Sequence, residues 1–154
     1  MRERDEPHHR MTSAEFAAWW RDLPLAPSEK VIGTRLLECD RDARRVELAF
    51  DAPKQFANAR GTIQGGFVAA LLDTCLGIPV LLASDTRFGP VTLNLSVNYL
   101  GAIKPGALRG SGRVTKIGRS VAFVEAELTD MEGNVLATAT QTAKLFRRPG
   151  TPDV

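Results

Sequence analysis

Histidine is scarce in this 154-residue chain: its two histidines, His8 and His9, sit side by side in a polar leader, and none follows. A Ser-His-Asp or Cys-His hydrolase needs an imidazole in the folded body, and a His-ligated metal needs several at defined spacing. Neither class is expected. Cysteine is equally scarce: Cys39 and Cys75 are too few for a disulfide framework and form no CxxC pair for zinc, which points to a reducing, cytoplasmic setting. No sign of charge dominates either. Twenty basic against eighteen acidic side chains leave a formal +2, so neither nucleic acid nor an anionic membrane is an expected partner. Residues 1–10 mix acids with bases and carry no apolar run, unlike a secretory signal or transit peptide. Gly110-Ser111-Gly112 lacks the third glycine of a dinucleotide loop, and neither a Walker lysine pattern nor a GxSxG elbow occurs. No organic cofactor or metal is implied.

What is present reads as one folded domain, with 44% hydrophobic and 25% charged residues. The expected organisation is a polar leader with a short helix over 1–28, a single domain over 29–147 and a tail over 148–154. Thr12 to Arg21 predicts that helix: Ser13 can cap it, Glu15 lies in its first turn, and Phe16, Trp19 and Trp20 share a face. Leu23 to Ser28, with Pro24 and Pro27, reads as a linker into a sheet. Val31 to Glu38 and Arg44 to Phe50 predict an opening hairpin. Val91 to Tyr99 has the clearest period of two, which places Val91, Leu93, Leu95, Val97 and Tyr99 on one face and Thr92, Asn94, Ser96 and Asn98 on the other. Three more strands follow at Ala107 to Lys116, Ser120 to Thr129 and Val135 to Phe146, joined by short turns that make consecutive strands antiparallel neighbours.

Between hairpin and strong strand lies Gly65 to Ala83, whose apolar residues fall at every angle of a helical wheel, as in a helix buried on all sides. Asp73 at its centre, Pro79 and the absence of basic flanks argue against a membrane span. Pro79 cannot donate to the Cys75 carbonyl, so a kink or an early end near Gly77 is expected. One long helix wrapped by an antiparallel sheet of five to six strands is an α+β domain.

Asp73 is the only acidic or basic side chain between Gly61 and Ser84. A carboxylate buried in so apolar a segment needs compensating hydrogen bonds or charge; it is either a general base or nucleophile, or a structural aspartate satisfied by backbone donors or a nearby threonine. Gly65 and Gly66 open the same helix, where the first amides have no intrahelical partner and the dipole is positive. That is either an oxyanion site or a junction needing flexible dihedrals. Eight residues on one helix span about 12 Å, so Gly65 and Asp73 cannot clasp one carbonyl group together. If both are catalytic, each site takes Gly65 from one subunit and Asp73 from another of a symmetric dimer. Cys75, two residues from Asp73, points to a different face and reads as core packing.

Asn58-Ala59-Arg60-Gly61-Thr62-Ile63-Gln64-Gly65-Gly66, followed by Ala69-Ala70-Leu71-Leu72-Asp73-Thr74, closely resembles the hotdog-fold acyl-CoA thioesterases, nearest the phenylacetate-degradation type. Val91 to Leu95 with Tyr99-Leu100, Lys104-Pro105-Gly106, Gly118-Arg119-Ser120 with Phe123-Val124-Glu125, and Asp130 to Ala137 agree in order and spacing, so the resemblance runs from about residue 30 to 146. It implies dimers as the minimal active unit and frequent tetramers. It also implies Asp73 as catalytic carboxylate, activating water or attacking the thioester, with the Gly65 amide polarising the carbonyl from the facing subunit. Asn58 matches a position that helps place water or carbonyl, and Thr92 a hydroxyl position near the carboxylate. The family usually has histidine where this chain has Gln64, which can donate a hydrogen bond but does not titrate near neutral pH.

The reading that results is hydrolysis of acyl-CoA thioesters, aryl or short to medium chain, by a homodimer or homotetramer. Arg60, Gly118, Arg119 and Ser120, with Arg87 as a further candidate, would face the coenzyme A phosphates. The same scaffold serves hydratases and dehydratases, which need a histidine beside the aspartate. A non-catalytic acyl-CoA binding or regulatory module is the alternative that Gln64 favours.

Overall fold

The computed structural model describes residues 9–151. In chain order the elements are α1 (Ser13–Asp22), α2 (Pro27–Ile32), β1 (Arg35–Asp40), β2 (Arg45–Ala52), α3 (Gly65–Ala83), β3 (Phe88–Tyr99), β4 (Gly106–Ile117), β5 (Val121–Thr129) and β6 (Val135–Arg147), with a single 3₁₀ turn at Lys54–Phe56. The strands form one antiparallel sheet in the order β1-β2-β4-β5-β6-β3. α3 packs across β4, β3, β5 and β2. This is the hotdog arrangement of a long helix against an antiparallel sheet. The core lies between them, with Leu48 and Phe50 of β2, Leu71, Leu72 and Leu76 of α3 and Leu128 of β5 fully buried.

The short links predict neighbouring strands correctly for β1–β2, β4–β5 and β5–β6 but not for β3–β4. The chain leaves β3 at one edge of the sheet and re-enters at β4 beside β2, so β3 pairs only with β6.

At the N-terminal side, α1 is capped by Thr12 rather than Ser13. Thr12 Oγ1 accepts from the Glu15 amide while the Glu15 carboxylate accepts from the Thr12 amide, a reciprocal pair that satisfies two orphan donors. Ser13 instead accepts from the Arg41 amide at 2.9 Å and ties α1 to the β1–β2 turn. Phe16 and Trp20 point into the core, and the Arg148 guanidinium lies over the half-buried Trp19 ring at 5.0 Å. His9 contacts Glu15 at 3.0 Å; His8 lies outside the described residues.

A helix begins at the end of the expected linker and runs into the start of the expected first strand. Pro27 takes the first position of α2, where its missing N–H costs nothing, and Glu29 accepts from the Ala26 amide at 2.8 Å. Gly33 at φ 66° ends the helix in the left-handed conformation. β1 therefore begins at Arg35 rather than Val31.

α3 has the predicted bounds, and it neither stops near Gly77 nor is buried all round. The helix continues through Pro79 to Ala83, while Gly66, Phe67 and Ala70 are exposed and Asp73, Thr74 and Gly77 half-buried along one stripe. Asp73 thus sits at the rim of the core, not inside it. Pro79 is among the most buried side chains, wedged against Gly112 of β4, whose added Cβ would lie 3.3 Å from Pro79 Cγ. Gly110 and Gly112, unsuited to phosphate binding, let β4 approach the helix at Cys75.

Candidate active site

Asp73 projects from the middle of α3 toward the first half of β3 and the middle of β6. Thr92 Oγ1 donates to Asp73 Oδ1 at 2.9 Å. The Gln141 amide group donates both to Asp73 Oδ1 at 2.7 Å and to Thr92 Oγ1 at 2.8 Å, closing a triangle of three side chains from three elements. Both bonds to the carboxylate fall on Oδ1, and no donor to Oδ2 and no ion pair of Asp73 occurs among the described residues. A carboxylate held this way has a fixed plane and one oxygen left to accept a proton or attack an electrophile.

Thr92 reaches Asp73 because β3 does not alternate as its sequence does. Thr92 pairs with Ala143 and Asn94 with Thr142, so Leu93 is an extra residue in a β-bulge. Beyond it Leu95, Val97 and Tyr99 pair with Gln141, Ala139 and Ala137, all buried positions of β6 that face α3. Thr92 therefore shares the helix-facing side with Leu95, Val97 and Tyr99, while Leu93 is 61% exposed. The strict two-face assignment fails at this one inserted residue.

Gly65 is at the N-terminal end of the helix. Tyr99 Oη donates to the Gly65 carbonyl at 2.9 Å and anchors the first turn. The Gly66 amide is taken by the Gln64 side chain, whose Oε1 accepts it at 2.9 Å as an N-cap. Gln64 thus accepts toward its own helix through Oε1, while its Nε2, the donor expected, has no acceptor among the described residues. The Gly65 amide, by contrast, has no partner among the described residues. It opens onto a groove of about 580 Å³ lined in part by Asn58, Arg60, Gly66, Tyr99 and Ile103. The positive end of α3 makes this a place for developing negative charge.

Asn58 is occupied in shaping that groove. Its Oδ1 accepts from the Arg60 amide at 2.9 Å and its Nδ2 donates to Thr62 Oγ1 at 3.0 Å, which folds residues 58–62 into a tight turn. Arg60 is exposed at the groove.

The other residues proposed for coenzyme A lie elsewhere in the chain. Ser120 accepts from Leu145 near the end of β6, whereas Tyr99, beside Gly65, pairs with Ala137 near its start. Eight residues of strand, about 26 Å, separate them, so Gly118, Arg119 and Ser120 do not meet Arg60 within one chain. Arg87 is turned to the Ser84 carbonyl and the Phe88 ring.

Residues 60–137 match the profile of the thioesterase superfamily. The chain belongs to that superfamily. Its structure superposes with a TM-score of 0.78 on the phenylacetic acid degradation-related protein of Ralstonia eutropha JMP134, at 31% identity over 84% of this chain and 98% of that one. A hypothetical thioesterase of Streptococcus pneumoniae TIGR4, solved with coenzyme A, is 26% identical over 75% of this chain and 90% of its own, with a TM-score of 0.66. An esterase-named protein of Saccharolobus solfataricus is 26% identical over 110 residues, 71% of this chain and 76% of that one.

The roles of two residues near the candidate centres of this thioesterase-superfamily chain escape a reading of the sequence as motifs. Gln141 is one, and its signal is positional: the inward series of β6 reads Ala137, Ala139, Gln141, Ala143, Leu145, with a single polar member. Tyr99 is the other; nothing local shows that its hydroxyl reaches Gly65.

Proposed function

We propose that the chain hydrolyses acyl-CoA thioesters in sites shared by two subunits. The observation that carries this is the pairing of a carboxylate held through Oδ1 alone, at Asp73, with an unpartnered helix-opening amide at Gly65. On one helix the two are about 12 Å apart, so a two-fold dimer brings Asp73 of one subunit to Gly65 of the other. Asp73 Oδ2 either takes a proton from water that attacks the thioester carbon, or attacks that carbon itself to give an anhydride that water then opens. In both routes the carbonyl oxygen gains charge facing the Gly65 N–H, and the C–S bond breaks to release the coenzyme A thiol.

β3 supports the assembly. As an edge strand it has one unpaired side, and its Val91 and Leu93 are 50% and 61% exposed, the kind of edge that a second copy covers. Such a dimer also lets Gly118, Arg119 and Ser120 of one subunit approach Arg60 of the other around the coenzyme A phosphates.

The test is thiol release from a panel of aryl- and alkyl-CoA esters by wild type and Asp73→Asn, with fold and oligomeric state checked in both. Turnover that collapses in a normally folded Asp73→Asn establishes the hydrolase. Acyl-CoA binding without turnover in either protein establishes the alternative, a binding module, which the use of Gln64 as a helix cap favours.

A further inference from the structure

Gln141 is 3% exposed, and its Oε1 is buried without a hydrogen-bond partner among the described residues. An orphaned buried acceptor is destabilising, and an apolar residue of similar volume would avoid it. The four other inward positions of β6 are Ala137, Ala139, Ala143 and Leu145. The amide at 141 is therefore not there for packing. Its Nε2 has two hydrogens, and both are used, at 2.7 Å on Asp73 Oδ1 and at 2.8 Å on Thr92 Oγ1.

We infer that Gln141 is a positioning residue that orients the Asp73 carboxylate for thioester hydrolysis; this rests on the catalytic reading of Asp73 above. The logic is directional. Donation from Gln141 to the Thr92 oxygen leaves the Thr92 hydroxyl proton to point at Asp73, and the second amide hydrogen meets the same carboxylate oxygen. Rotation of the Asp73 carboxylate about its Cβ–Cγ bond would break both bonds, so Oδ1 stays with its donors and Oδ2 stays with the substrate. Because Gln141 comes from β6, Thr92 from β3 and Asp73 from α3, the carboxylate is indexed to the sheet rather than to its own helix. A thioester lying against the exposed α3 stripe meets an oxygen whose direction the sheet sets.

The experiment compares wild type with Asp73→Asn, Gln141→Leu and Gln141→Glu, measuring kcat and KM on the best ester of the panel, melting temperature, and activity against pH. Gln141→Leu is expected to lose about 10–100-fold in kcat, the scale set by misaligned reacting groups, with KM changed less than about twofold. Its melting temperature is expected to stay level or rise, since the orphaned acceptor is gone. Gln141→Glu supplies a readout that packing alone would not move. A protonated glutamic acid can still donate to Asp73, whereas two ionised carboxylates repel, so turnover should recover toward acid pH and fall as the pair loses its shared proton. Unchanged kcat in Gln141→Leu beside an inactive Asp73→Asn overturns this inference alone. Equal losses in both Gln141 variants at every pH, with lowered melting temperatures, also overturn it by marking a packing role. A fully active Asp73→Asn, or a wild type without turnover, overturns the catalytic reading beneath it and the inference with it.

Discussion

Gly112 on β4 lies directly against the carbonyl oxygen of Cys75 on α3: a Cβ added at Gly112 would sit 1.7 Å from that oxygen. The Cys75 carbonyl is the one that Pro79, four residues on, cannot serve, because proline has no N–H. The Gly112 Cα–H pointing at this oxygen gives it a weak partner and closes the gap between helix and sheet. Gly112→Ala forces helix and strand apart along the middle of the core. The expected cost is at least ~3 kcal/mol, the upper range for overpacking, visible as a large fall in melting temperature or as insoluble protein. Gly118→Ala, whose added Cβ meets nothing closer than the Val121 carbonyl at 3.4 Å, is the mild control.

The architecture was legible because it follows from periodicity and punctuation. The 65–83 helix is bounded by Gln64-Gly65-Gly66 and Ser84, and the β4, β5 and β6 strands by turns whose residues dictate reversal. Misreadings came where one residue has two uses. Pro27 reads as a breaker but starts α2, since a fixed φ suits a first helical turn. Leu93 continues a clean alternation yet is the bulged residue, which only pairing with β6 reveals. Asp73 and Gly65 stood out in sequence through isolation and position. Gln141 did not, because its meaning depends on two partners 68 and 49 residues away.

The two cysteines should differ in reactivity. Cys75 is fully buried, and burial pushes its thiol far above the ordinary range. Cys39 is partly buried, and desolvation, followed by the charges of Glu38 and Asp40, raises its thiol as well. A native state that holds these protons more tightly than the unfolded chain loses stability as pH climbs past the ordinary thiol range of about 8.5. Titration with a thiol reagent near pH 8 should label at most Cys39 in the native protein, slowly, and both thiols in denaturant. Rapid labelling of both without denaturant would show that the α3–β4 contact opens.

Leu93 offers a direct test of the β3 edge as the subunit contact. It is the bulged residue and 61% exposed in the single chain, so Leu93→Arg should disturb the isolated fold by no more than about 0.5 kcal/mol. In a dimer that covers this edge the same charge is buried without a partner. Sedimentation should then give the mass of one chain, and thiol release should vanish although the circular dichroism spectrum is kept. A dimeric, active Leu93→Arg would place the contact elsewhere.

Gly65→Pro removes the proposed oxyanion donor with little harm to the helix. Gly65 is the first residue of α3, and Gln64 before it is at φ −65°, ψ 139°, the extended geometry a residue preceding proline prefers. No hydrogen bond from the Gly65 amide is lost, and an added Cβ meets the Tyr99 ring at an ordinary 3.4 Å. Gly65→Pro should therefore fold, bind acyl-CoA and fail to turn over. Mixing it with Asp73→Asn after subunit exchange then reports where each site is built. If Asp73 and Gly65 of different subunits share a site, each mixed dimer carries one site with both defects and one with neither. A random equal mixture would then regain about a quarter of the wild-type activity, half its dimers being mixed with one working site of two. If each site lies within a single subunit, every site keeps one defect and mixing restores nothing.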